Sequence, residues 1–366
     1  MVKKGKKKGG IRIFGITSRV LMAIVAGLLV LSYGSMLVNP AKAWGLSLLG
    51  LLFVPLSIIN LLLLVWALMR RSRAVVIPLL ALLPSFFFIG RYVRFPSNEK
   101  NEMSEDPALR IMTYNVGRFA LHDERSGITS RTMCADSVFS FIERESPDIV
   151  CLQEFHISDI NKVRAYLHCQ MEGYNAEFYM FPMADGSAFG NVTLSRIPVR
   201  GKGKIKFDES ANLAIYTDYE IKGRRFRVYN CHFESYNISL PGILRRVFRA
   251  HRTVLAETGT KMKRSITRRP EQVDKVFSNI ENCPLEAFVC GDFNDNPMSY
   301  SYFRMTRDRK DSFRDAGKGF GATFARLWPL LRIDYILHPD RFRTICHDTP
   351  RVGFSDHYPV VATVEL

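Results

Sequence analysis

The chain has 366 residues, of which 47% are hydrophobic and 23% are charged, and its formal net charge is +16. The basic excess is concentrated near the amino terminus, because residues 1–98 contain 13 Lys and Arg and no Asp or Glu. This distribution excludes a protein whose whole surface is basic for nucleic-acid binding, and the apolar content excludes a disordered chain. The length allows two or three domains.

Three long apolar stretches without a charged residue occupy residues 20–38, 44–69 and 74–90. A helix needs about 20 apolar residues to cross the hydrocarbon layer of a membrane. We therefore predict a bundle of about three transmembrane helices in an N-terminal membrane domain, residues 1–90, with the lipid bilayer as a partner. Buried helices of a soluble core are the alternative, which is disfavoured because such helices would carry a polar face.

Basic residues beside these stretches predict their orientation. Seven Lys and Arg precede the first stretch, only Lys42 follows it, and three Arg separate the second stretch from the third. Because short basic flanks remain in the cytoplasm, we expect a cytoplasmic amino terminus and an extracytoplasmic carboxy-terminal domain. The prediction is an integral membrane protein, in the inner membrane if the source is bacterial.

The remainder of the chain predicts one large α/β domain. Residues 91–107 are polar, contain two prolines and are typical of a linker, and residues 108–366 suffice for a single core. Strand-like runs alternate with helical patterns such as residues 132–145, which predicts a sandwich whose sheets are buried between helices. The predicted strands are residues 109–116, 148–153, 176–181, 191–194, 213–221, 225–233, 287–290, 333–337 and 359–364.

Polar side chains stand at the ends of several predicted strands. Taken singly, each is more often a turn or core residue than a functional one. Strand ends converge on one rim of a sheet, however, and several carboxylates buried together need a cation or a proton to compensate them. The set comprises the carboxylates Glu154, Asp292, Asp334 and Asp356, the amides Asn115 and Asn294, and the imidazoles His232 and His357.

This combination of side chains favours one kind of chemistry. Carboxylate and amide oxygens are hard ligands, so the implied cofactor is Mg²⁺ or Mn²⁺ rather than zinc. A hard cation held by one or two carboxylates completes its coordination with water and phosphate oxygens. We therefore predict hydrolysis of a phosphate ester, in which a carboxylate activates water and imidazoles contact the phosphate.

Seven motifs occur in a fixed order: MTYNV, LQE, GNVTLSR, NCHFES, GDFNDNP, RIDYIL and FSDHYPV. Together they resemble the endonuclease/exonuclease/phosphatase superfamily, which includes pancreatic deoxyribonuclease, abasic-site endonucleases, neutral sphingomyelinases and inositol-polyphosphate 5-phosphatases. The resemblance covers about residues 107–366. It implies a four-layer α/β sandwich, in which two mixed sheets pack face to face with helices outside.

The resemblance also implies roles for individual residues. Glu154 would be the main metal ligand, with Asn115 and Asp356 beside it, and Asn115 would also border the substrate. Asp292 would orient and activate the nucleophilic water, while Asn294 would bind the phosphate.

The imidazoles take the remaining roles. His357 would contact the scissile phosphate and would be held by Asp334. His232 would be a second phosphate contact and a possible general acid. Abasic-site endonucleases usually have another residue at the position of His232, which weakens a DNA-repair function.

The substrate stays open at this point. A lipid or a small phosphorylated molecule is favoured slightly over nucleic acid, and a catalytically inactive scaffold is disfavoured because every motif position is filled. No protein partner is inferred. A basic stretch is either a patch for a polyanion or lipid headgroups or a solvated helical face, and it comprises Arg245, Arg246, Arg249, Arg252, Lys261, Lys263, Arg264, Arg268, Arg269 and Lys275.

Overall fold

A computed structural model describes residues 6–95, 107–120, 128–208, 210–236 and 252–366, without the side chains of residues 6–15 and 252–258. The chain divides into two compact units. The first comprises Met1–Gly90 with Met298–Tyr300, and the second comprises Arg91–Pro297 with Ser301–Leu366.

The first unit is helical and contains fewer long apolar helices than the sequence predicts. Residues Ile16–Met36 form one 21-residue stretch that is long and apolar enough to cross a membrane. The second predicted span is two helices at 60° to each other, and the third is a shorter apolar helix, Arg73–Phe87. The helices are α1 (Lys6–Tyr33), α2 (Trp44–Leu51), α3 (Phe53–Met69) and α4 (Val76–Leu82).

The prediction of a three-helix transmembrane bundle is therefore wrong. Among the described residues one helix qualifies as a span, or two if the bent pair forms one span. The physical reason is that an apolar run predicts a span only where the helix continues. The chain bends after α2 at Leu52, and Pro55 lies in the first turn of α3, where its missing N–H costs no hydrogen bond.

The predicted linker lies only partly within the described residues. Residues 96–106 lie outside them, whereas β1 (Val93–Arg94) pairs with β11 (Gly319–Phe320) inside the second unit. The predicted domain boundaries stay predictions.

The second unit contains two six-stranded mixed sheets. In the first sheet β2 and β3 are parallel and the other neighbours are antiparallel. In spatial order its strands are β13 (Arg343–Asp348), β14 (Val360–Glu365), β2 (Ala108–Asn115), β3 (Ile149–Ile157), β5 (Ala188–Ser195) and β4 (Asn175–Pro182).

The second sheet repeats this plan, with β8 and β9 as its parallel pair. In spatial order its strands are β10 (Arg309–Asp311), β12 (Asp334–Pro339), β9 (Glu286–Asp292), β8 (Arg224–His232), β7 (Leu213–Ile221) and β6 (Gly201–Lys206). Among the described residues, the α-helices beyond residue 107 are α5 (Arg131–Glu145), α6 (Val163–Gln170), α7 (Arg252–Glu281), α8 (Tyr300–Met305) and α9 (Ser312–Ala316).

Three apolar cores define the layers. One joins the first sheet to α5 and α6 through residues such as Val138 and Leu152. A second lies between the sheets, where Ile149 and Phe288 belong to the same cluster. A third joins the second sheet to α7, and it includes Phe277. This arrangement confirms the predicted pair of mixed sheets flanked by helices.

Candidate active site

Each sheet contributes the ends of its parallel strand pair to one rim. Asn115 ends β2 beside Gln153, and Glu154 follows directly in β3. In the other sheet His232 ends β8 and pairs in register with Asp292 at the end of β9. Because parallel neighbours end at the same edge of a sheet, these residues meet at one rim of the sandwich.

His357 and Asp334 form a buried pair at the same rim. His357 Nδ1 lies 3.0 Å from Asp334 Oδ2, and Asp334 pairs with Asp292 across the strands β12 and β9. Burial lowers the pKa of His357, but the charges of Asp334 and Asp292 outweigh burial and raise it to about 10. His357 is therefore an imidazolium at neutral pH, and its Nε2 lies 3.9 Å from Asp292 Oδ2.

Asp292 is as deeply buried as Asp334, with a side chain that is 1% exposed. Its Oδ2 accepts hydrogen bonds from Asn115 Nδ2 at 2.9 Å and from Asn294 Nδ2 at 3.0 Å. Its Oδ1 accepts the backbone N–H of Asn294 at 2.7 Å. Burial and then the charge of Asp334 raise the pKa of Asp292 to about 6. This carboxylate can therefore exchange a proton close to neutral pH.

Asn294 holds the carboxylate of Asp292 in place through hydrogen bonds. Besides its bond to Asp292, its Nδ2 donates to the carbonyl oxygen of Phe233 at 3.0 Å. Its backbone adopts a left-handed conformation with φ 50°, which asparagine tolerates better than most residues. The amide nitrogen that was expected to bind phosphate thus positions the carboxylate, and the phosphate contact stays a prediction.

Glu154 and His232 face each other across the rim. Glu154 Oε1 lies 3.7 Å from His232 Nε2, which is also 3.9 Å from Asp292 Oδ2. His232 Nε2 is buried and makes no hydrogen bond. A buried polar nitrogen without a partner is costly in a folded protein, so this atom is available for a ligand.

Asp356 lies on the side of the site next to Asn115. Gly117, whose φ is 54°, lies close to it: a Cβ atom added to this glycine would be 3.4 Å from Asp356 Oδ1. Ser355 Oγ donates to the carbonyl oxygen of Asn115 at 2.7 Å, which ties this segment to the end of β2.

One cluster of side chains has the spacing of a metal site but differs from the predicted set of metal ligands. Asp292, Asp334 and His357 have ligand atoms within 4.8 Å of one another. His357 is protonated and bonded to Asp334, so this trio is better described as a charge network than as a metal site.

The predicted ligands nevertheless fit a hard cation. Glu154 and Asp356 keep side chains that are 27% and 28% exposed, and their nearest cationic partners among the described residues are Arg118 at 3.5 Å and Arg326 at 3.4 Å. These distances exceed those of charge-assisted hydrogen bonds, so the carboxylate oxygens remain available. Together with the amide oxygen of Asn115 they are the donors that Mg²⁺ and Mn²⁺ prefer.

Sequence reasoning missed two groups of residues here. Arg118 and Arg326 were overlooked, although Arg118 follows Asn115 by only three residues. The second group is a buried amide network between the sheets, in which Gln153 Nε2 donates to Asn230 Oδ1 at 2.8 Å and Asn191 Nδ2 donates to the Asn230 carbonyl oxygen at 3.1 Å. Its signal was an excess of amides inside apolar strands.

The basic stretch is only partly described. Arg245, Arg246 and Arg249 lie outside the described residues. Arg269 is buried with its Nη1 3.1 Å from Asp295 Oδ2, and Lys275 pairs with Asp208. Arg269 therefore serves the fold, whereas Lys275 forms an ion pair with an exposed carboxylate.

Comparison with family models identifies the class of protein. The model of the "Endonuclease/Exonuclease/phosphatase family" matches residues 112–357, about two thirds of the chain. The chain belongs to this family, whose members hydrolyse phosphoester bonds and generally use a divalent metal. A domain of unknown function (DUF8431) matches residues 13–92. No curated protein sequence matches the chain.

Solved structures share the fold at low sequence identity. An endonuclease/exonuclease/phosphatase from Beutenbergia cavernae is 20% identical with a TM-score of 0.53, and the match covers 71% of this chain and 72% of that one. The catalytic domain of human Nocturnin with bound sulfate is 18% identical, with a TM-score of 0.51 and coverages of 70% and 93%. TDP2 of D. rerio with a single-strand DNA product is 17% identical, with a TM-score of 0.50 and coverages of 71% and 100%.

Proposed function

We propose that the chain is a membrane-anchored hydrolase of phosphate esters and phosphodiesters that requires Mg²⁺ or Mn²⁺. The observation that carries this proposal is the convergence of strand ends from both sheets. Asp292, with a pKa raised to about 6 by burial and then by Asp334, lies within 4 Å of both imidazoles. Carboxylates, amides and imidazoles around one rim are the groups that water attack on phosphorus needs.

In this proposal Asp292 accepts the proton of the attacking water. Asn115 and Asn294 donate to its oxygens and thereby direct a free lone pair towards that water. Both amides restrict the rotation of the carboxylate, which favours a productive orientation.

The imidazoles act on the phosphate. His357, charged because of Asp334, donates from Nε2 to a phosphoryl oxygen. His232, whose Nε2 makes no hydrogen bond, is a second phosphate contact and can protonate the leaving oxygen. Glu154, Asn115 and Asp356 would hold the divalent cation, which supplies charge neutralisation when it is bound.

Anchoring is the second part of the proposal. The stretch Ile16–Met36 is apolar enough to cross a membrane, and the basic residues before it favour a cytoplasmic amino terminus. The catalytic unit would then lie outside the cytoplasm, close to the bilayer.

The direct test is hydrolysis by the purified full-length chain in detergent. We expect release of p-nitrophenol from bis(p-nitrophenyl) phosphate, loss of this activity in excess EDTA and recovery with Mg²⁺ or Mn²⁺. Activity that persists in EDTA would contradict the metal requirement. A folded chain that hydrolyses neither this diester nor p-nitrophenyl phosphate with either metal would instead support an inactive scaffold.

An anchored nuclease is a second candidate. It is supported by the half-buried aromatic rings and lysines that lead from the site along the edges of the two sheets.

A further inference from the structure

The edge strands of the two sheets face each other beside the active site. These strands are β4 in the first sheet and β6 in the second. Lys204 Nζ of β6 lies 4.2 Å from the centre of the Tyr179 ring of β4, and Lys206 Nζ lies 5.2 Å from it. Both lysines are exposed. Side chains of one sheet edge thus contact those of the other.

Three half-buried aromatic rings continue from this contact towards the active site. We call Tyr179, Phe181 and Phe189 the aromatic row. Their ring centres are 5.2 Å apart between Tyr179 and Phe181, and 6.0 Å apart between Phe181 and Phe189. At the end of the row the Arg118 guanidinium lies 4.2 Å from the centre of the Phe189 ring, and Arg118 Nε is 3.5 Å from Glu154 Oε2. The row therefore reaches the active-site carboxylate.

The charges along these facing edges are not balanced. Lys202, at the far end, pairs with Glu177 at 2.8 Å. Within the described part of the chain, Lys204 and Lys206 contact a ring and no carboxylate. Alternate residues of a strand are about 6.8 Å apart and point to the same face, so β6 presents two uncompensated ammonium groups in a line.

We propose that Lys204, Lys206 and the aromatic row bind a single-stranded nucleic acid whose scissile phosphate lies at the active site. The two ammonium groups can contact phosphates and the exposed parts of the rings can stack with bases, and this combination is how proteins bind single strands without sequence preference. A lipid headgroup offers one or a few phosphates at a single point, which would leave most of this line unused. The inference rests on the proposed function only for the placement of the scissile phosphate.

Binding can be tested separately from hydrolysis. The probe is a fluorescein-labelled (dT)12 strand, titrated with the full-length chain in detergent and EDTA and followed by fluorescence anisotropy. For the double variant Lys204→Gln/Lys206→Gln we expect Kd to rise at least ~10-fold and the salt slope of log Kd to fall by about 1.4, because two phosphate contacts are lost. Tyr179→Leu should weaken binding at least ~5-fold while it keeps the site apolar.

Lys202→Gln is the matched control, because its charge is already paired with Glu177. Its Kd should change by less than about twofold. All variants should keep the wild-type unfolding temperature, and Lys202→Gln should also keep the wild-type hydrolysis of bis(p-nitrophenyl) phosphate.

The remaining outcomes separate the two proposals. If wild type binds (dT)12 and cleaves no diester, the proposed function fails while the inferred binding surface stands. If the double variant binds (dT)12 as tightly as wild type, the inference is overturned. The lysines would then serve to prevent the edge strand β6 from pairing with other chains. Loss of binding to phosphatidylserine vesicles without loss of strand binding would likewise overturn it in favour of a lipid surface.

Discussion

Asn115 Nδ2 donates a 2.9 Å hydrogen bond to Asp292 Oδ2, although 177 residues separate them in the chain. The bond joins the end of β2 in one sheet to the end of β9 in the other. The orientation of the buried carboxylate therefore depends on both sheets, and the catalytic geometry depends on how they pack.

Replacing Asp292 by asparagine should separate catalysis from folding. Turnover of Asp292→Asn should fall at least ~10²-fold, because the amide cannot accept the proton of water. The variant should still unfold in a cooperative transition, because the uncharged group relieves the repulsion by Asp334, although its NH2 then faces one of the N–H donors that Asp292 accepts. Asp208→Asn, which alters an exposed carboxylate that pairs with Lys275, is the control and should keep its activity. Wild-type turnover in Asp292→Asn would reject the role of Asp292.

The pair of His357 and Asp334 predicts a pH-dependent stability. The pKa of His357 in the folded chain is about 10, above the ordinary value of 6.5. The stabilisation is therefore complete below pH 6.5 and is lost as the pH rises towards 10. We expect the unfolding temperature of wild type to exceed that of His357→Gln by more at pH 6 than at pH 9.5, measured in EDTA. A difference that is constant over this range would contradict the charged pair.

The amide network beneath the site predicts a large stability effect. Asn230 Nδ2 donates to the carbonyl oxygens of Val192 at 2.9 Å and Leu152 at 3.2 Å, and Asn230 accepts from Gln153. Asn230→Ala leaves these buried groups unsatisfied, so the free energy of unfolding should fall by at least ~2 kcal/mol in urea denaturation. Asn175→Ala, which removes an exposed amide with one 3.3 Å bond, should cost no more than ~0.5 kcal/mol. Similar losses in both variants would argue against the network.

Glu154 should determine the metal requirement. For Glu154→Gln we expect the Mg²⁺ concentration at half-maximal activity to rise at least ~10-fold, because a neutral amide is a weaker ligand than a carboxylate. Titration of Mg²⁺ against diester hydrolysis measures this change. The control is Glu145→Gln, whose carboxylate pairs with Arg110, and it should behave as wild type. An unchanged Mg²⁺ requirement in Glu154→Gln would remove Glu154 from the metal site.

Membrane topology has a direct readout. A bacterial alkaline phosphatase fused after Leu366 should be active, because that enzyme works only outside the cytoplasm, whereas a fused green fluorescent protein that folds only in the cytoplasm should stay dark. The opposite pattern would place the catalytic unit in the cytoplasm, and it is the pattern expected if the bent pair α2 and α3 forms a second and last span.

Much of the fold could be predicted because buried strands leave a strong pattern. The strand predicted at residues 213–221 coincides with β7, and the helix predicted at residues 132–145 lies within α5. The sequence missed β6, β10 and β13, which all lie at the ends of their sheets. Charged residues and glycine are tolerated in such edge strands, so the apolar pattern is weak there. The number of spans was overestimated because composition does not record the bend at Leu52.

The sequence predicted which types of residue line the site, but not which of them contact one another. Carboxylates, amides and imidazoles at strand ends gave the right chemistry of the rim. The sequence did not reveal that Asn294 would bond to Asp292 or that Arg118 would approach Glu154, because these contacts depend on left-handed backbone at Arg118, Glu154 and Asn294. Such local conformations follow from the assembled sheets rather than from the sequence pattern.

The order of these residues in the chain bears on when the protein can first act. The site runs from Asn115 to His357, and β14, which follows His357, lies between β13 and β2 in the first sheet. The site therefore stays incomplete until nearly the whole chain has been synthesised. Any hydrolytic activity can therefore arise only once the last segments have emerged from the ribosome.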